Sequence, residues 1–124
     1  MRIEASVQNV ALSAEAVRMG EDLCVVLTGG DRPHLGCAAL AVPHPGISDP
    51  DRPSATVSTL NVPAHRDGDI ANLVAKELSS ALGCHVAVVC GIHFDRFSPE
   101  LAETVVQAAR RLSGLIVQSL EGRA

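Results

Sequence analysis

Tryptophan and tyrosine are absent from this 124-residue chain, and phenylalanine occurs only as Phe94 and Phe97. Too few aromatic rings are present to build the stacking platform that single-stranded nucleic acid requires. Basic residues are also scarce: 10 Lys and Arg stand against 14 Asp and Glu, a net charge of −4, the wrong sign for covering a phosphate backbone. No apolar run approaches the ~18–20 residues of a membrane span, and the start Met1-Arg2-Ile3-Glu4-Ala5-Ser6 has no continuous apolar stretch of a secretory leader. A cytosolic protein with neither nucleic-acid nor membrane partner is expected. Cys24, Cys37, Cys84 and Cys90 include no Cys-x-x-Cys pair, which argues against a zinc ribbon and a thioredoxin-type motif. They lie in apolar runs and read as reduced, buried small hydrophobes; a Cys84–Cys90 disulfide would overturn that reading. A Gly-x-Ser-x-Gly elbow, a P-loop, a Rossmann glycine fingerprint and a His-Glu-x-x-His helix are all missing.

What is present suffices for one core. Hydrophobic residues make up 47% and charged residues 19% of the chain, and this length suits a single domain over residues 1–124. Arg2 to Gln8 alternates, with Ile3, Ala5 and Val7 on one face, as a half-buried strand does. In Leu12–Met19 the Ala, Glu and Arg residues favour a helix, while the turn Gly20-Glu21-Asp22 ahead of Leu23–Leu27 favours a hairpin, and the hairpin is expected; Cys37–Val42 reads as another buried strand. Pro43 to Pro53 carries so many turn residues that a surface loop is expected. Ser54–Val62 alternates again, placing Ser54, Thr56 and Ser58 on one face.

Ile70, Leu73, Val74, Leu78, Ala81 and Leu82 recur at helical spacing, with Asp67 or Asp69 as cap and Gly83 at the left-handed stop. Cys84–Ile92 is a strand-length apolar run. Ser98-Pro99-Glu100 then opens a final helix whose apolar face is Leu101, Val105, Ala108, Leu112, Leu115 and Ile116; Glu100 and Glu103 serve its dipole. Strands come first, then helix, strand, helix (β-β-β-β-α-β-α). Clustered strands of this kind give an α+β domain, one mainly antiparallel sheet with two helices packed on one face.

Loops that combine glycine, charge and imidazole are where chemistry is expected. Gly29-Gly30-Asp31-Arg32-Pro33-His34 allows close backbone approach and offers Arg32 as a planar phosphate fork and His34 as a ligand or proton donor. Pro63-Ala64-His65-Arg66-Asp67 precedes the first helix, whose amides favour an anion. Gly91-Ile92-His93-Phe94-Asp95-Arg96 ends the last strand. His34, His65 and His93 could converge as metal ligands, oriented by carboxylates such as Asp31, Asp67 or Asp95, or be ordinary surface histidines. His44 and His85 are weaker candidates, in the Pro-rich segment and inside a strand.

The same residues, Gly29-Gly30-Asp31-Arg32-Pro33-His34-Leu35-Gly36, the Ser/Thr strand running into Pro63-Ala64-His65, and Gly91-Ile92-His93-Phe94-Asp95, resemble the LpdD-like family of small proteins. These are the D subunits associated with UbiD-type hydroxyarylic acid decarboxylases, regarded as chaperones for prenylated flavin mononucleotide. The resemblance runs from about Gly20 to the last helix. It implies a non-catalytic accessory protein that binds prenylated FMN, with help from a divalent metal, and delivers it to or protects it for the decarboxylase, with the flavin prenyltransferase as a further partner. Carried over by motif, the cofactor-binding residues are Gly30, Arg32, His34 and Asp95, and the metal ligands His34, His65 and His93. Ala64 departs from the pattern where a glycine is expected before the histidine, and the Pro-rich segment with His44 has no counterpart role. A chain this small would enclose a flavin only with a second copy, so a homodimer through apolar strand or helix faces is expected. The competing expectations are a small metal-dependent enzyme using the histidine cluster to activate water and a purely structural assembly subunit.

Overall fold

A computed structural model describes residues 1–63 and 68–121. These form β1 (Arg2–Val7), β2 (Val10–Met19), β3 (Asp22–Gly30), β4 (Cys37–Pro45), β5 (Pro53–Asn61), α1 (Gly68–Leu82), β6 (Val86–His93) and α2 (Pro99–Glu121). Strands, helix, strand, helix follow in the expected order, but five strands stand ahead of α1 where the β-β-β-β-α-β-α order counts four, since the two arms of the hairpin, β2 and β3, are separate strands. The six-stranded sheet runs β1-β2-β3-β6-β4-β5. All its pairs are antiparallel except β3 with β6. β6, the last strand in sequence, therefore occupies the middle of the sheet, which suits its continuous run Val86-Ala87-Val88-Val89.

Both helices lie on one face, α1 over β4, β5 and β6 and α2 over β1 and β2. Alternate residues of the strands (Val10, Leu12, Ala14 and Ala16 of β2; Leu23, Val25 and Leu27 of β3; Val86, Val88 and Cys90 of β6) form the buried side. Against them α1 places Ile70, Val74 and Leu78 with the small Ala71 and Ala75, and α2 places Val105, Ala108, Ala109, Leu112 and Ile116. The alanines let the helices sit close to the sheet, while each buried leucine contributes about 1.5–3 kcal/mol. The helix signals read from sequence hold. Gly83 ends α1 with a φ of 66°, its amide donating to the Ser79 carbonyl at 2.9 Å, and the Ser98 hydroxyl accepts the Leu101 amide at 3.1 Å. Asp69 sits in the first turn of α1, whereas Asp67 lies outside the described residues.

The Pro-rich segment is the main correction. β4 continues through Pro43, His44 and Pro45, which pair with Ala55, Ser54 and Pro53, so that the hairpin loop is confined to residues 46–52. Register explains how a ladder tolerates these prolines. Backbone bonds join Gly46 to Arg52 and Val62 to Gly36, so the even-numbered residues of β4 exchange hydrogen bonds with β5 and the odd-numbered ones do not. Pro43, Pro45 and Pro53 all occupy the non-bonding sites. On its other edge β4 pairs with β6 only as far as Ala41, so the nitrogens of Pro43 and Pro45 have no ladder to serve there.

Candidate functional site

The parallel pairing of β3 with β6 brings Gly30 opposite His93, and the antiparallel pairing of β6 with β4 brings Cys37 opposite Cys90. The loop that leaves β3 and the loop that leaves β6 therefore meet at one end of the sheet, where β5 also ends, Asn61 opposite Cys37. Two glycines make the meeting possible. Gly30 has a φ of 87°, and a Cβ there would lie 2.7 Å from the His93 carbonyl carbon. Its lack of a side chain is thus accounted for by β6 itself. Gly91 has an ordinary strand φ, yet a Cβ there would lie 2.6 Å from the carbonyl carbon of His34. The His34 main chain crosses directly over Gly91.

Around this crossing the loops are cross-braced. The Asp31 amide donates to the His93 carbonyl at 2.7 Å, and the Asp31 carboxylate accepts the Asp95 amide at 2.9 Å. The Arg32 guanidinium reaches Asp95 at 2.5 Å, with both side chains more than half exposed. His93 Nε2 stands 3.4 Å from the same carboxylate, and the rings of His34 and His93 lie 5.3 Å apart at an angle of 38°. Gly30, Arg32, His34, His93 and Asp95 thus share one neighbourhood, although they come from two loops some 60 residues apart in sequence. His65 lies outside the described residues. Among the described residues no group of three or more His, Cys, Asp or Glu is arranged to hold a metal ion; the described imidazoles at this end form a pair.

The face of the sheet opposite the helices was not singled out by sequence reading. His93 belongs to it, since its strand neighbours Val86, Val88, Cys90 and Ile92 face the helices. Next to Gly91 along this open face lies a row of cross-strand partners, Val26, Val89, Ala38 and Leu60. Beyond it come Val17, Leu40 and Val42, which are 54%, 51% and 44% exposed. The strict alternation of polar and apolar residues expected for a one-sided sheet breaks here, and that break is the signal the sequence carried. The site therefore combines a guanidinium, two imidazoles and two carboxylates with an apolar floor.

The other candidates lie elsewhere. At the opposite end of the sheet, Pro43, Pro45, Pro50, Pro53, Ser80 and Gly83 help line a shallow cavity of about 330 Å³. His44 is tied there on both ring nitrogens, Nδ1–H donating to the Pro45 carbonyl and Nε2 accepting from the Thr56 hydroxyl, each at 2.7 Å. His85 is also at that end, 3.6 Å from Asp22. Ser54, Thr56 and Ser58 do share the open face, on edge strand β5. The cysteines are reduced. A Cys84–Cys90 bridge is ruled out by distance, because the strand from Val86 to Cys90 alone spans roughly 13 Å. No helix among the described residues is long and apolar enough to cross a membrane.

The fold is similar to that of a chain in the crystal structure of a chaperone complex for yeast 20S proteasome assembly, with a TM-score of 0.58, 14% identity and 94% of each chain covered. At that identity the likeness concerns the fold. No curated protein matches the chain. The family model of the prenylated flavin chaperone LpdD-like domain matches residues 6–121, both loops of the site included. With nearly its whole length matched, the chain belongs to the prenylated flavin chaperone LpdD-like family.

Proposed function

We propose that the chain is a non-catalytic carrier of prenylated FMN that serves a UbiD-type decarboxylase, and that the flavin lies at the His34–His93 end of the open face. The observation that carries this reading is that the Arg32–Asp95–His93 cluster closes the end of β6, and the same strand carries the apolar row Val26, Val89, Ala38 and Leu60 on the open face beyond the His34–Gly91 crossing. A flavin mononucleotide needs both elements, donors for a phosphate and an apolar surface for the ring system. The Arg32–Asp95 pair is exposed and so contributes only about 0–1 kcal/mol. A phosphate can therefore replace Asp95 as partner at little cost, while Asp95 is free to turn to His93.

The residues present fit such a cofactor in these terms. Arg32 would hold the phosphate and the sheet floor the ring, with His34 and His93 reaching its polar edge. The redox and electron-sink chemistry of the flavin would be used in the partner enzyme. The chain's own task is to position the cofactor and limit its contact with water and oxygen. A divalent metal enters this reading only through His65, which would have to join His34 and His93 to give a three-imidazole set.

A second copy packed on the open face would cover the apolar row and close the site from solvent, which supports a homodimer. Cytosolic residence follows from the expected partners. Copurification with a co-expressed flavin prenyltransferase under anaerobic conditions tests the reading. A flavin absorption spectrum that is lost in Arg32→Ala supports it, and metal analysis of the same sample decides the role of His65. A colourless wild-type protein would favour a purely structural assembly subunit.

A further inference from the structure

The strand register sets two core thiols side by side. Cys37 of β4 and Cys90 of β6 are direct cross-strand partners, 1% and 0% exposed, and both join the core cluster on the helix-covered face. Partners in an antiparallel pair project to the same side with Cα atoms about 4.5–5.5 Å apart, inside the ~4.4–6.8 Å range that a disulfide requires. The remaining cysteines have no such geometry. Cys24 pairs with Val17 and Ala87, on the open face, and Cys84 precedes β6 at the far end of the sheet. The pair also has a position that matters. Cys37 follows His34 by three residues and Cys90 precedes His93 by three, and the neighbouring Gly91 carries the His34 main chain.

We propose that Cys37 and Cys90 form a reversible disulfide that locks β4 to β6 beneath the His34–His93 pair, a redox-sensitive staple at the base of the site. The oxidant is a small-molecule disulfide such as oxidised glutathione. One protein thiolate attacks it, forming a mixed disulfide and expelling one glutathione thiolate; the second protein thiolate then attacks the protein-bound sulfur and expels the other. The protein loses two electrons, the glutathione disulfide gains them, and the two protons released by the cysteines end on the two glutathione thiols. Because both thiols are buried, exchange proceeds through local opening at the start of β4, next to the exposed loop of residues 31–35. Only the link to the imidazole pair rests on the functional reading above; formation of the bond does not.

The test has a ligand-independent readout. The chain is exposed to oxidised glutathione both as native protein and during refolding from urea, which removes the barrier of burial; thiols are then alkylated in denaturant and counted by intact mass. Of the four cysteines, two are expected to escape alkylation, in a cross-linked peptide that joins Cys37 to Cys90 and disappears on reduction. The double variant Cys24→Ser, Cys84→Ser keeps the pair and is expected to be fully protected. Alkylation of all four thiols after both treatments, or a bridge that uses Cys24 or Cys84, overturns the proposal. A confirmed bridge in a protein that binds no flavin would leave the staple standing and sink the carrier reading instead.

Discussion

Replacing Gly91 by alanine adds one methyl group at the point where the two site loops touch. Gly91 has no positive φ, so the strand backbone accepts alanine and the whole effect must come from crowding. The added Cβ would lie 2.6 Å from the His34 carbonyl carbon and 3.2 Å from its nitrogen. Carbon atoms in contact prefer about 3.5–4.0 Å, so the His34 segment must move by about 1 Å. Forced repacking of this kind costs about 1–3 kcal/mol. At roughly 4 °C per kcal/mol for a domain of this size, the melting temperature is expected to fall by about 4–12 °C. The displacement also shifts the His34 ring relative to that of His93, now 5.3 Å away, so flavin binding should weaken. Thermal unfolding followed by circular dichroism, together with a flavin titration of the folded variant, measures both effects. Wild-type melting and binding in Gly91→Ala would refute the crossing and with it the placement of His34.

Gly114 provides the opposite case. It is exposed within α2, and a Cβ there meets nothing within 4 Å. Gly114→Ala is therefore expected to stabilise the fold by about 0.5–1 kcal/mol, read from urea unfolding. Burial pushes the Cys84 thiol above its ordinary value of 9.0, and Asp22 raises it further against the opposing charge of Arg18. Below that value both folded and unfolded chains keep the proton. Above it the unfolded chain ionises first, so stability should fall as the pH rises past about 9, and Cys84→Ser should lessen that alkaline loss in unfolding curves. Leu40→Asp places a charge on the open face at a residue that is 51% exposed. In the proposed homodimer this face is covered, so the substitution should leave the monomer fold intact and shift sedimentation to the monomer, whereas a dimer that forms unchanged would place the interface elsewhere.

Most of the architecture was legible because local rules and the global fold agree. Alternation marked β1 and β5, the turn Gly20-Glu21-Asp22 marked the β2–β3 hairpin, and caps and stops bounded both helices, with Ser98 and Gly83 acting as their residue types predict. The insertion of β6 between β3 and β4 was not legible, since pairing of strands distant in sequence leaves no local trace. The Pro-rich extension of β4 failed for a different reason. Proline density was counted, but whether a proline falls on a bonding site depends on the parity of the register, which only the pairing fixes. At the site, residue types were readable and their neighbourhood was not. Gly30 suggested room for a ligand, and in the fold its missing side chain also makes room for the His93 main chain. Gly91 stands inside a strand, where a glycine often marks close backbone approach, but what approaches it, the His34 main chain, is fixed only by the fold.

In the proposed carrier, Arg32 grips the phosphate of a flavin whose ring rests on the sheet. FMN and riboflavin differ by that phosphate, so titrating both into the wild type and Arg32→Ala isolates the contact. A charge-assisted hydrogen bond contributes about 1.5–3 kcal/mol. FMN should therefore bind wild type roughly 10- to 150-fold more tightly than riboflavin does, and that preference should vanish in Arg32→Ala. Equal affinities of the wild type for the two flavins, or a phosphate preference that survives the substitution, would contradict the account.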